Sequence, residues 1–416
     1  MISKLHQKAK TPLGLLFFTV FLDLLGYGIL IPVIPQLLAN PHSPFYLLPS
    51  NFSLDTGYIM LGFLIAVFPF GQFLATPILG QLSDRYGRKP ILALSIFGTG
   101  LSYILFAIGI ITKNIPLLFI SRFFDGLTGG NISVAQAAIA DLTKPENRTK
   151  TFGMLGAAFG LGFIVGPFIG GKLSDPHFVS WFNAATPFWF AAILAVLNTS
   201  LILYRMKETN EFMNKKKILW TKAVKNVVAG FTMPKLSSLF IVNFFYYGGF
   251  TFFTTFLSVY LIQKFNFTQG NIGDFFAYVG ICVAITQAVV TQFFAKRYSQ
   301  SQILTYTLFF TGIFLVLYLA PAHAWQLLFV VPFFSMANGL TMANMNALIS
   351  KRAPEEIRGE IFGISSSVQA LAQTIPAVLS GFIASVLKPS TPILVSALCI
   401  LVGSLFFTLV DQKKNA

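Results

Sequence analysis

The chain has 416 residues, of which 55% are hydrophobic and only 10% charged, with a mean hydropathy of +0.72 and a formal net charge of +15. A soluble chain carries about 25% charged residues, so this composition excludes an ordinary water-soluble enzyme. Apolar runs recur, and roughly 20 apolar residues suffice to cross the hydrocarbon core, so the sequence describes an integral membrane protein.

The chain opens on Lys4, Lys8 and Lys10, then enters an apolar run too long for a signal-peptide core, so it reads as a retained helix. Twelve spans are expected, near 12–36, 55–80, 90–111, 115–140, 149–172, 184–204, 236–262, 271–294, 301–320, 325–350, 357–386 and 391–410. An even number puts both termini on one side. With cytoplasmic termini, 24 of the 29 Lys and Arg fall in cytoplasmic segments, and only Lys113, Lys172, Lys264 and Lys388 lie in external loops. This is the positive-inside bias. It explains the net charge through topology and anionic inner-leaflet lipid, without nucleic acid.

The first two spans are joined to the third through GQLSDRYGRKPIL, Gly80 to Leu92, where Asp84, Arg85, Arg88 and Lys89 fall within six positions. Glycines at this spacing suit a tight turn. Asp84 suits the positive end of a helix, and Arg85 and Arg88 can reach acids such as Asp141 at the base of the fourth span. The fifth span carries GFIVGPFIGG, with Gly162, Gly166, Pro167, Gly170 and Gly171. Small residues at this spacing let helices approach closely, and the proline bends the axis.

The longest interior break, Arg205 to Lys235, holds eight Lys or Arg and divides the spans six and six. The expected organisation is an N-terminal bundle at 1–204, a basic cytoplasmic linker at 205–235 and a C-terminal bundle at 236–416. Within the linker, KKKILWTKAVKNVV reads either as a basic amphipathic helix on the inner leaflet or as a solvated connection. The halves repeat: KPENRTKTFG at Lys144 returns as APEEIRGEIFG at Ala353, after which Pro167 matches Pro376 and Gly171 matches Gly381. A duplicated six-helix unit suggests two bundles flanking a midplane cavity and rocking to give alternating access.

Charge is scarce at mid-membrane. Of 14 acids only Asp23 and Asp125 sit near the middle of a span, and of the bases only Arg122 does. A charge at helix centre costs about 2.5–3.5 kcal/mol on insertion scales, so such residues tend to be paired and functional. Arg122 and Asp125 are three apart and share a helix face. Burial favours a neutral carboxyl and a nearby arginine favours the ionised one. Asp23, balanced between them, can load and release a proton. The alternative is a fixed ion-pair network pinning the first and fourth helices. The second half has polar stripes instead: Asn243, Tyr247, Thr251, Thr254 and Ser258 on the seventh span, Asn338 and Thr341 on the tenth, and Ser366, Gln369, Gln373 and Ser380 on the eleventh. These face a cavity or a neighbouring helix. Asn243, Tyr247, Thr251, Asn338, Gln369 and Gln373 are the candidate substrate contacts. Cys282 and Cys399 lie in apolar runs and imply neither a disulfide nor a metal site.

The Gly80–Leu92 stretch resembles the loop 2–3 signature of the major facilitator superfamily, G-x-L-a-D-r-x-G-r-k, with Gly80, Leu82, Asp84, Arg85, Gly87, Arg88 and Lys89 in place. The resemblance implies two pseudo-symmetric six-helix bundles locked in one state by this loop. The Gly162–Gly171 stretch resembles the superfamily's antiporter motif. LDLLGYGILIPVIPQLL on the first span, with SRFFDGLTGG and AQAAIADLT on the fourth, resembles the tetracycline/proton antiporters and the wider twelve-helix drug/proton antiporter family. Arg122 matches the fourth-span arginine that the family places beside its proton site. Two departures argue against tetracycline as the substrate: Ser102 stands where those pumps carry a third-span acid, and the ninth span has no acid. The resemblance implies a proton-driven antiporter of the bacterial inner membrane that exports a small amphiphilic compound, working as a monomer with the proton gradient as its energy source and no cofactor. Two Asp and one Arg, formally −1, favour cationic or zwitterionic compounds. A metabolite or siderophore transporter on the same scaffold is the alternative, and a non-transporting membrane sensor a third. No nucleotide-binding or hydrolase motif appears, so neither an enzyme nor a primary pump is expected.

Overall fold

The computed structural model describes residues 12–143, 148–210, 218–234, 236–354 and 358–415. The N-terminal lysines, linker residues 211–217 and the cores of the repeated loops at 144–147 and 355–357 lie outside the described residues. Within them the chain is helical. In order the helices are α1 (Pro12–Leu38), α2 (Leu54–Tyr86), α3 (Arg88–Ile111), α4 (Ile115–Thr128), α5 (Asn131–Leu142), α6 (Arg148–Leu173), α7 (Thr186–Arg205) and α8 (Lys222–Thr232). There follow α9 (Ser237–Phe265), α10 (Gln269–Ile285), α11 (Thr291–Ala295), α12 (Gln300–Leu317), α13 (Leu327–Arg352), α14 (Arg358–Val386) and α15 (Thr391–Asn415).

Among the described residues, ten helices are long and apolar enough to cross a bilayer. Two of the twelve expected spans, at 115–140 and 149–172, fall outside that set. The run at 115–140 is broken at Gly129–Gly130 into α4 and α5. Gly130 cannot carry a side chain, because a Cβ there would stand 2.7 Å from Leu79 Cδ1 and 2.9 Å from Thr76 Cα. The run at 149–172 falls on α6, Arg148–Leu173, 26 residues long. The run at 271–294 is also interrupted: α10 passes into α11 through a π turn, Thr286–Val290. Helix starts follow their side chains. Asn114 accepts the Leu117 N–H at 3.0 Å ahead of α4, and Thr268 and Ser299 form capping boxes at α10 and α12.

By packing, the chain forms two compact units, Met1–Val33 with Phe70–Ala223, and Ile34–Pro69 with Val224–Ala416. In the first, α3 lies against α7 and α4. A stripe of α6 meets the backbone of α1: a Cβ at Gly162, Gly166 or Gly170 would stand 2.8 Å from Phe21 O, 2.6 Å from Leu25 O or 2.5 Å from Ile29 O. In the second unit, α9 packs on α15 and α14, and α12 on α13 and α15. The first half of α2 belongs here. Gly62 lies against Gly381 of α14, Phe63 meets Phe382 edge-on at 5.9 Å, and Gln263 of α9 donates to the Tyr58 hydroxyl. Among the described linker residues, Lys222–Thr232 form a helix, α8. Asn226 donates to Ser367 Oγ at 3.2 Å and Gly230 abuts Ile364 and Val368, so one face packs on α14 while Val224 and Val228 remain exposed.

Candidate functional site

The break in the fourth span organises the charges of the first unit. On α4, one turn before the break, Arg122 and Asp125 form an ion pair three residues apart, with relative exposures of 4% and 3%. A pair this buried is tolerated because each charge neutralises the other; removing one partner strands its mate. At the first position of α5, Asn131 Nδ2 donates to Asp23 Oδ1 on α1 at 2.6 Å. The three charges thus divide into an ion pair and an amide-held acid. They remain neighbours, since Asp23 and Asp125 lie within electrostatic range of each other.

Two tyrosines complete the cluster. Tyr103 of α3 reaches across to α1 at Gly26, where a Cβ would stand 2.0 Å from its hydroxyl, so only glycine admits it. It lies within electrostatic range of Asp125, Asp23 and Arg122. Tyr27 lies within range of Arg122. Leu30, Ser102, Tyr103, Ser121, Arg122 and Asp125 border one narrow gap, closed by Phe106 and Phe188. Ser102 of α3 and Asp125 of α4 thus line the same gap.

The polar residues of the second unit form separate knots. Asn243 of α9 donates to Ser365 Oγ of α14 at 3.3 Å, and Gln369 donates to the same hydroxyl at 3.2 Å. Tyr246 donates to Asn338 Oδ1 of α13 at 2.8 Å, and Tyr247 meets Tyr246 edge-on at 5.1 Å. Thr251 turns back on its own helix, donating to the Tyr247 carbonyl at 2.8 Å. Gln373 is half-buried on α14. Tyr246 was not among the expected contacts because it lies one residue off the Asn243–Tyr247–Thr251 stripe.

The turn between α2 and α3 is a single residue, Gly87, at φ +103°. A side chain is unfavourable at that φ, and a Cβ would also stand 2.4 Å from Glu208 Oε2. Arg88, 8% exposed, pairs with Asp84 at 2.6 Å and Asp141 at 3.1 Å, and donates to Ser83 Oγ at 2.7 Å. Arg85 points elsewhere and lies over the Tyr86 ring at 5.3 Å. Gly80 has open space where a Cβ would go. The turn is clasped by the segment after α7. Glu208 accepts the backbone N–H groups of Arg88 at 2.8 Å and Lys89 at 3.1 Å, and Asn210 donates to the Asp84 carbonyl at 3.0 Å. Partial burial pushes the Glu208 carboxyl up, but N–H groups donated by Asn210, Arg88, Lys89 and Thr209 outweigh it and hold the pKa below the usual glutamate value. Sequence reasoning missed Glu208. The available signal was that Glu208 is one of only two acids, with Glu211, in a basic linker.

The model of the Major Facilitator Superfamily matches residues 16–375 and 239–416. The chain is 30% identical to the class H tetracycline resistance protein of Pasteurella multocida, over 90% of this chain and 89% of the relative. It is 27% identical to multidrug resistance protein 1 of Bacillus subtilis, over 91% and 90%. Among solved structures, the human organic anion transporter MFSD10 (TETRAN) superposes with a TM-score of 0.71 at 22% identity, covering 95% of this chain and 98% of that one. A peptide transporter POT in complex with sulfate superposes with a TM-score of 0.74 at 16% identity, covering 96% and 94%. The chain belongs to the Major Facilitator Superfamily.

Proposed function

We propose that the protein is a proton-coupled antiporter that exports small amphiphilic compounds, cationic or zwitterionic, unaltered across a bacterial inner membrane by alternating access. The observation that carries the reading is the buried cluster of the first unit: two acids and one arginine at mid-span, formally −1, with Asp23 held by a neutral amide and not by a cation. An acid so held can exist ionised or neutral, which a proton carrier requires. The likeness to tetracycline and multidrug resistance proteins of bacteria supports export of a drug-like compound. Asp23 takes a proton from outside and releases it inside; the Arg122–Asp125 pair tunes the field in which it does so. The lysine and arginine distribution supports cytoplasmic termini and contact with anionic inner-leaflet lipid. The protein acts as a monomer, with the proton gradient as its energy source.

The test is transport in sealed vesicles with and without an imposed pH gradient, using a panel of lipophilic cations and zwitterions chosen by resistance screening. Accumulation in inverted vesicles should require the gradient. Asp23→Asn should abolish gradient-driven transport and leave expression and substrate binding near wild type. Full gradient-driven activity in that variant sinks the reading, and uptake in the opposite direction favours a metabolite or siderophore importer.

A further inference from the structure

We infer that Asn131 is a positioning residue that holds the Asp23 side chain in both of its protonation states; the inference rests on the reading of Asp23 as the proton carrier. Asn131 Nδ2 donates to Asp23 Oδ1 at 2.6 Å. Asn131 itself is only 1% exposed, and its Oδ1 has no hydrogen-bond partner among the described residues. A primary amide offers two donors and an acceptor, whereas an ionised carboxylate only accepts. The ionised Asp23 therefore takes the N–H and leaves the amide oxygen unpaired.

The neutral acid has the complementary need. Its O–H requires an acceptor, and the unpaired amide oxygen belongs to the group already in contact with it. Acid and amide then close a two-bond ring: N–H is donated to the acid's carbonyl oxygen, and the acid's O–H to the amide oxygen. The proton changes the pattern of bonds without changing the partner. Lysine or arginine at this place offers donors alone and suits only the ionised form.

The break in the fourth span puts the amide there. Gln72 of α2 donates to the Gly129 carbonyl at 2.9 Å, and Gly130 lies against Thr76 and Leu79 of the same helix. The chain is thereby anchored one residue before Asn131, at the start of α5. Among the described residues, Asp125 of α4 and Tyr103 of α3 lie within electrostatic range of Asp23, Arg122 is paired with that Asp125, and Tyr27 stands one turn further along α1. Of the residues around Asp23, Asn131 donates the side-chain hydrogen bond that holds it.

The experiment is pH-difference infrared spectroscopy on the full chain reconstituted in lipid. The acid and carboxylate bands lost in Asp23→Asn belong to Asp23. In Asn131→Leu both bands should move, because each state loses its partner. In Asn131→Ala, which removes the donor and the acceptor without adding bulk or a second titratable group, both bands should move as well. Asn131→Ala also answers the case in which the leucine variant does not fold. Bands unmoved in both variants, or a carboxylate band that moves alone in Asn131→Leu, overturn the inference and leave Asp23 as the carrier. No band lost in Asp23→Asn means that Asp23 does not titrate, and then the proton-carrier reading and the inference fall together.

Discussion

The carboxylate of Glu208 accepts the backbone N–H of Arg88 at 2.8 Å, so an acid beyond the end of α7 caps the first turn of α3. The N–H groups of a first turn have no partner within their helix, and a negative charge suits that end of the helix dipole. Glu208→Gln should lower stability by about 0.5–1 kcal/mol, the discounted value of a partly exposed helix-end charge. The dependence on pH follows from its lowered pKa. The contribution is fully present above the unfolded value, about 4.3, and is lost as pH falls through the folded value. Thermal unfolding in detergent across this range should show an acid-side loss in the wild type that is smaller in Glu208→Gln. Identical curves would deny Glu208 the capping role.

Arg88 and Arg85 make a contrasting pair. Arg88 is buried and holds Asp84, Asp141 and Ser83; Arg85 is exposed and lies on Tyr86. Arg88→Ala leaves two acids and a hydroxyl without their common donor. It should cost about 1–3 kcal/mol, the scale of charged hydrogen bonds lost at a partly buried site, and slow transport. Arg85→Ala should stay within about 0.5 kcal/mol of wild type, as surface changes do. Equal losses in the two variants, read by unfolding midpoint and by turnover, would mean that the loop acts through its net charge alone.

Much of this was legible in the sequence. The spans follow from apolar run length, and the Arg88–Asp141 pair and the Gly162–Gly166–Gly170 face follow from motif and spacing. Asp23, Arg122 and Asp125 stand out because charge in a span is rare. What was not legible are the neutral partners. Asn131 and Tyr103 carry no charge, and their roles depend on which helix lies opposite. The break before Asn131 had a local signal in Gly129–Gly130, but the residues on both sides together have the length of a single span, which hid it. Nor does periodicity reveal that the first half of α2 packs with α14, because which helices pair is decided by surfaces far apart in sequence.

The α6 stripe gives a further prediction. A Cβ at Gly166 would stand 2.6 Å from Leu25 O and 2.9 Å from Gly28 Cα, both backbone atoms. Neither can rotate away, so Gly166→Ala must push α6 from α1 at a cost of about 1–3 kcal/mol. Because α1 carries Asp23, transport should fall more than folding does. Gly160→Ala, with open space at its Cβ, is the control and should be neutral or slightly stabilising, as alanine favours a helix by about 1 kcal/mol over glycine. Parallel unfolding and transport measurements decide it: if both alanine variants behave alike, close approach is not what the stripe provides.

The Arg122–Asp125 pair can be a pin or a tuning element, and a double variant separates the two. Arg122→Ala strands Asp125 in a buried site, at a cost of about 3–5 kcal/mol. Asp125→Asn in the same chain removes the stranded charge, so Arg122→Ala/Asp125→Asn should recover most of the stability. A pin has then been replaced by a neutral contact, and a protein that needed only the pin would transport again. A tuning pair has not been replaced, because Asp23 has lost both the positive and the negative charge that set its field. The expected result is a double variant that folds near wild type, binds substrate, and shows slowed gradient-driven transport with a displaced pH profile. Recovery of both stability and the wild-type pH profile would make the pair structural and leave Asp23 with Asn131 as the proton site by themselves.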